Sequence, residues 1–424
     1  MPPERIEFIV LRTPTSWLGP VCTAAALFLL CLLTFGLEVS VASEPGGQRP
    51  ETSAATATSA RPVPGTTDRP PFAAVPVEAY QPHYLVGNNL SEIWDYRLWF
   101  PNGYLLNCRF MITSFGPGER TGLVLSYVLP PEGDMVVIKN SRKWGDWKDL
   151  TDRAGPQFAI AKNRLNIDLP SHHLHVENEK GTLDLHLRST VDPLRTERIL
   201  LSQRQWYDVT FYAPRLEASG ELLLPGQAPL QLENGRGIAT HIVSNVPDNR
   251  QSVSLFRFDS FDAPTQMSLY QLTLQASHAY RKVGFLTTFQ DNQIVIHSTT
   301  FDRVFSNLKP DPNYKAYLVP EGFSVDYDSK FETFEGEATL QFHHKRPQEI
   351  LDLVNSRLLR FFLKKVAPNP VLYQNRSDYR FDINHSGYRA LGKESHGPVH
   401  EAIEVVTGQG FASLYLTMKP PHDF

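Results

Sequence analysis

Cysteine is scarce in this 424-residue chain: Cys22 and Cys31 lie in an apolar N-terminal segment, and Cys108 stands alone in the body. A single body cysteine excludes an intramolecular disulfide there, so export into an oxidising compartment would find nothing to staple. Runs of one charge sign are missing too. With 41 Lys and Arg against 45 Asp and Glu, the formal net charge is −4, and the basic stripe that nucleic acid requires is absent. The signatures of common enzymes are also lacking: there is no Gly-x-Ser-x-Gly elbow, no P-loop and no His-Glu-x-x-His, and Gly235-Arg-Gly237 has no third glycine to make a dinucleotide fingerprint. No cofactor is expected. His173 and His175, in Ser171-His-His-Leu-His175, share one strand face at a spacing that can bind metal, but no third ligand is evident. They read as solvated or hydrogen-bonded strand residues, and no metal site is expected.

What the chain does have is β signal. Ile93–Phe100 (IWDYRLWF), a Pro-Asn-Gly turn and Tyr104–Thr113 (YLLNCRFMIT) read as a hairpin from turn chemistry and aromatic content. Further strands recur every 8 to 15 residues with short turns, which predicts an antiparallel barrel or sandwich rather than a parallel sheet. Two rounds of eight or more strands fall before and after about Pro225. One helix is predicted, over 347–366, where Ile350, Leu351, Val354, Leu358, Phe361 and Phe362 recur at three- and four-residue spacing beside Arg357, Arg360, Lys364 and Lys365. It reads as packed against the second barrel, or as a membrane-facing helix.

The N-terminus addresses the chain to a membrane. No charge occurs from Thr13 to Leu37, and Arg5 and Arg12 precede that segment. Residues 1–43 read as a signal peptide or an uncleaved anchor. Residues 44–77, rich in Pro, Thr and Ala, read as a disordered linker reaching on the order of 30 Å. The body is then expected on the exported, extracytoplasmic side, membrane-tethered, or secreted if the signal is cleaved.

The stretch Leu216–Thr265 organises the rest. It reads as strand, Pro-Gly turn, strand, Asn-Gly turn, strand, loop, strand. Period two puts Gly235, Gly237, Ala239, His241 and Val243 on one face, and the small residues predict open space beside the imidazole, the arrangement a ligand cavity needs. The alternative is a hydrogen-bonded barrel histidine.

This stretch resembles the AttH-like and hydroxyneurosporene synthase (carotenoid 1,2-hydratase) proteins, and the related survival-factor family of lipid carriers. The residues that carry the resemblance are Trp206–Gly220 (WYDVTFYAPRLEASG), Leu222–Gly226, Gly235-x-Gly237 with His241 four residues on, Phe256–Phe261 and Pro264-Thr265. The resemblance implies an all-β fold of two tandem lipocalin-like (calycin) barrels, expected over 78–225 and 226–424. It also implies that His241 matches a histidine with which the hydratases protonate an alkene and add water. The adjacent acidic position is Thr240 here, and the Trp expected two residues on is Val243; Asp259 or Asp262 could supply a carboxylate if turned inward.

The resulting expectation is an exported lipocalin-like protein that binds or transfers a lipid or other hydrophobic small molecule. His241, Trp206, Tyr207, Phe256 and Tyr270 are the candidate lining residues. The alternatives are a hydratase, isomerase or cyclase on an isoprenoid or polyketide-like substrate with His241 in the site, and a non-catalytic structural module of an envelope complex.

Overall fold

The structure is a computed structural model that describes residues 75–417, apart from 84–89, 114–120, 144–146, 152–154, 197, 246–251, 262–264, 291–292, 315–316, 329–332, 341, 343, 348–370 and 385–402. The expected signal or anchor, and most of the linker, lie outside the described residues. So does the expected helix, except Pro347, which ends a strand. Among the described residues no helix is long and apolar enough to cross a membrane.

The fold is all-β, two curled antiparallel sheets of the tandem lipocalin-like kind. The first sheet is built from β1 (Ser91–Trp99), β2 (Leu105–Thr113), β3 (Thr121–Leu129), β4 (Val136–Lys143), β5 (Trp147–Asp149), β6 (Gln157–Ile160), β7 (Asn163–Asp168), β8 (Ser171–Asn178), β9 (Gly181–Ser189), β10 (Leu194–Arg195), β11 (Ile199–Leu200), β12 (Trp206–Leu223) and β13 (Leu230–Ser244). Its order is β4-β3-β2-β1-β13-β12-β9-β8-β7-β6-β5, with β10 and β11 on β12. The second sheet uses β14 (Ser252–Ser260), β15 (Gln266–Leu274), β16 (Lys282–Gln290), β17 (Gln293–Ser298), β18 (Asp302–Ser306), then, past the small β19 (Lys309–Pro310) and β20 (Leu318–Val319) pair, β21 (Gly322–Asp328), β22 (Thr333–Thr339), β23 (His344–Pro347), β24 (Val371–Asn384) and β25 (Ile403–Leu416). Its order is β17-β16-β15-β14-β25-β24-β22-β21-β18, with β23 on β24.

The two orders follow one plan. Each sheet's first strand (β1, β14) pairs with its last (β13, β25), and a long terminal hairpin divides two meanders. This plan corrects the boundary expected at residue 225: β13 closes the first sheet, and the crossing to the second falls between Ser244 and Ser252. The folded body begins no later than Val75, because Val75 and Val77 pack on the first core, so the expected linker ends earlier than residue 77.

The Asn234-Gly235 turn is also corrected. Leu230–Ser244 is one continuous strand; between the pairs Ala218–Gly235 and Gly220–Leu232 it carries one extra residue. Asn234 takes up the surplus in the left-handed region at φ 54°, a conformation asparagine tolerates. The result is a bulge within the strand, not a hairpin.

Alternation sorts the side chains into three cores. Trp94, Tyr96 and Leu98 point into the first barrel, and Phe256, Phe258 and Leu269 into the second. A third core lies between the sheets, where Ile93, Tyr207, Phe211 and Ile242 meet Tyr270, Phe285 and Phe411.

Candidate functional site

Polar side chains converge inside the first barrel, and the β1–β13 register explains why. Trp94 lies opposite His241, and Glu92 opposite Val243. Residues two apart on a strand share a face, so Glu92, Trp94 and Tyr96 point inward beside His241. Their partners come from the segment that enters the barrel. The Ala79 carbonyl accepts from His241 Nδ1 at 3.2 Å, the Tyr80 carbonyl accepts from Trp94 Nε1 at 2.8 Å, and the His83 backbone N–H donates to Glu92 Oε2 at 2.9 Å.

His241 is held between two rings, with Trp94 stacked at 4.6 Å and His83 at 5.4 Å between centroids. A carbonyl can only accept, so Nδ1 carries the proton and the neutral ring's lone pair is on Nε2. Among the described residues Nε2 has no hydrogen-bond partner; it lies 3.7 Å from Glu92 Oε2, and His83 Nδ1 lies 3.8 Å from the same oxygen. Burial lowers the His241 pKa below the ordinary imidazole value, and Glu92 offsets part of that shift. Burial alone would raise the Glu92 carboxyl, but the neighbouring His241 and His83 rings and the His83 backbone N–H hold it below its ordinary range. At neutral pH the pair is therefore a carboxylate beside a neutral imidazole.

Both separations exceed a hydrogen bond. They fit a group bridging between carboxylate and ring nitrogens, such as a water or a substrate hydroxyl. The three ligand atoms lie within 4.8 Å of one another, so His83, Glu92 and His241 are also a set able to hold a metal ion. Deeper in the barrel, Tyr96 Oη and His172 Nδ1 are hydrogen-bonded at 3.1 Å, and Tyr212 stacks on Tyr80 at 5.6 Å. Burial takes His172 down to about 3, which keeps it neutral.

The space expected over the glycines of this face is filled, and the His241 ring itself is stacked on Trp94 and His83. A Cβ on Gly235 would meet the Phe100 ring at 2.3 Å, and one on Gly237 would meet Leu98 Cδ2 at 2.4 Å. These glycines admit large neighbours instead of lining a void. The other four lining candidates do not join His241. Tyr207 and Tyr270 meet in the core between the sheets, 6.0 Å apart. Phe256 packs inside the second barrel against Phe305 and Phe323. Trp206 is half-buried under the Arg198 guanidinium.

The carboxylate that sequence sought in Asp259 comes from Glu92 instead; Asp259 pairs with Arg97 and Arg257, and Asp262 lies outside the described residues. Period-two alternation in SEIWDYRLW does place Glu92 with Trp94. Nothing local says that His241 lies opposite. A separate recess of about 380 Å³ lies between the sheets, lined by residues that include Gly103, Pro131, Arg376 and Asp378.

No protein-family model matches the sequence, and no curated protein matches it. Solved structures do share the fold. CghA with Sch210972 superposes with a TM-score of 0.54 at 10% identity, covering 79% of this chain and 90% of that one. A Nitrosomonas europaea protein described as AttH gives 0.50 at 12% identity, over 80% and 98% of the two chains. Kievitone hydratase from Nectria haematococca gives 0.50 at 10% identity, over 84% and 96%. The AttH-like resemblance read in the sequence is thus met at the level of the fold.

Proposed function

We propose that the first barrel is an acid–base site of the hydratase or isomerase type, acting on an apolar unsaturated substrate, with His241 as the base and Glu92 supporting it. The observation that carries this reading is the buried Glu92–His241 pair, with its unpartnered Nε2. The fold shared with a named hydratase supports it by analogy only. The lipid-carrier reading favoured by the sequence loses support because the glycines from which its space was inferred, Gly235 and Gly237, are covered by Phe100 and Leu98.

The charge state narrows the chemistry. A neutral imidazole is too weak an acid to protonate an isolated alkene, but it is a competent base. Nε2 takes a proton from a carbon next to a carbonyl, or from a water whose oxygen bonds to one carbon of a carbonyl-conjugated double bond. The imidazolium, stabilised by Glu92, returns that proton to the far carbon of a neighbouring double bond in the first course, and to the carbon next to the carbonyl in the second. The first course shifts a double bond with no change in composition, and the second adds one water. The exported, membrane-tethered placement is part of the proposal and rests on the charge-free segment 13–37.

The test is to purify the full-length chain and a His241→Gln variant from the same lipid-containing host, then identify the bound molecules by native mass spectrometry and extraction. An enzyme yields different molecules from the two, isomeric or differing by one water, with the unreacted form on the variant. The same molecule on both chains would instead establish the carrier.

A further inference from the structure

A second histidine cluster occupies the outer face of the first sheet. In the β8–β9 pair, His173 lies opposite His186 and His175 opposite Asp184. Leu174, Val176, Leu183, Leu185 and Leu187 take the inner positions, so alternation turns all four polar side chains outward together. Asp184 is the hub. Its Oδ1 lies 3.0 Å from His173 Nε2 and 3.7 Å from His186 Nε2, and its Oδ2 lies 2.7 Å from His175 Nδ1.

We propose that this cluster is a divalent transition-metal site suited to Zn²⁺, with His173, Asp184 and His186 as ligands and His175 as a positioning residue. Imidazole nitrogen and carboxylate oxygen are the donors zinc takes, at 2.0–2.2 Å. A tetrahedron with such bonds sets neighbouring donors about 3.3 Å apart, and the two separations to Asp184 Oδ1 fall on either side of that value. All three donor atoms lie within 4.8 Å of one another, so small side-chain rotations complete the set. His186 is exposed, which leaves the fourth position to solvent.

Three imidazole nitrogens converge on the one Asp184 carboxylate, two of them on the same oxygen. A divalent cation pairs with the carboxylate and takes the lone pairs of neutral rings. His175 occupies Oδ2 and so fixes the orientation of Oδ1, the arrangement by which outer partners tune a ligand. His175 Nε2 is in turn 3.5 Å from Glu177, which pairs with Lys162. The strand arginine nearest that end, Arg164, donates to the Ala161 and Asn163 carbonyls, so its guanidinium is engaged with the turn.

The test is competition of the metal-stripped full-length chain with a chromophoric chelator for Zn²⁺. It is run in a His83→Ala background, which removes the other candidate set. One zinc per chain is expected. His186→Ala and, separately, Asp184→Asn should weaken binding by about 100-fold, and His175→Gln by about 10–100-fold, with melting temperatures of the metal-free chains unchanged. Co²⁺ should give visible bands that His186→Ala loses. Zinc bound equally by His83→Ala with and without His186→Ala, or no zinc bound by His83→Ala at micromolar metal, would overturn the assignment.

Discussion

Arg97 Nε lies 2.6 Å from Asp259 Oδ2, and this pair ties the first sheet to the second. The two residues sit on the first strands of the two sheets, where Asp95-Tyr-Arg97 faces Arg257-Phe-Asp259. The charges run in opposite order, so Asp95 meets Arg257 at 2.5 Å as Arg97 meets Asp259. Ser268 donates to Asp259 Oδ1, and Arg97 donates to Ser413 Oγ and the Phe411 carbonyl, so most of the buried polar atoms are satisfied. Aromatic packing alone would join the sheets loosely in register; the crossed charges fix which residues meet.

Removing one partner should therefore cost far more than removing both. Arg97→Met leaves Asp259 with Arg257 as its charge partner and an apolar chain in place of the other, and should destabilise by up to about 3–5 kcal/mol. The double variant Arg97→Met/Asp259→Leu should cost clearly less than the sum of the single changes. Urea unfolding of the four chains gives the coupling energy; additive losses would mean that the pair does not act as a unit.

Gly235 tests the filled interior. Gly235→Ala pushes a Cβ into the Phe100 ring and should cost about 1–3 kcal/mol through overpacking. Phe100→Leu should cost less in the Gly235→Ala background than alone. If denaturation midpoints show Gly235→Ala to be neutral, the Phe100 ring does not close over Gly235.

The buried histidines set an acid limit. His172 has a folded pKa of about 3, below the unfolded value of 6.5, so the unfolded chain binds the proton first. Its contribution is full above about pH 6.5 and is lost as pH falls from there toward 3, on the order of 4 kcal/mol in all. Asp95, held at about 2 against burial by Arg109, Arg257 and Arg97, adds to the loss only below about pH 4. His172→Gln should reduce the slope of stability between pH 6.5 and 4, where His241 and His297, also lowered by burial, still titrate, and leave the drop below pH 4. An unchanged slope in the upper window would show that His172 is not buried neutral.

Glu92→Gln keeps the shape of the site and removes its charge. Turnover of the substrate identified from the purified chain should fall by about 10²–10⁴-fold while that substrate still binds. Equal losses of binding and turnover would assign Glu92 to substrate contact instead.

The strands were legible in the sequence because alternation and turn chemistry are local. Pro101-Asn102-Gly103 marks the first hairpin, and Gly103 takes φ 92° as such a turn demands. Asn234-Gly235 misled for the same local reason: the dipeptide that makes a turn between short strands makes a bulge when both flanks stay paired with β12. The site was legible only in part. His241 could be placed on an inward face, but Glu92 and His83 reach it through pairing and an entering segment distant in sequence. Likewise His173 and His175 lacked a third ligand until β9 brought Asp184 and His186 beside them.

His241 is a neutral base with its lone pair on Nε2, and nitrogen-15 NMR of the imidazole tests this without a substrate. The prediction is a neutral ring at pH 7, protonated on Nδ1, that titrates below the 6.5 of a free histidine and shifts in Glu92→Gln. A His241 already protonated at pH 7, or a neutral ring carrying its proton on Nε2, would rule out Nε2 as the base.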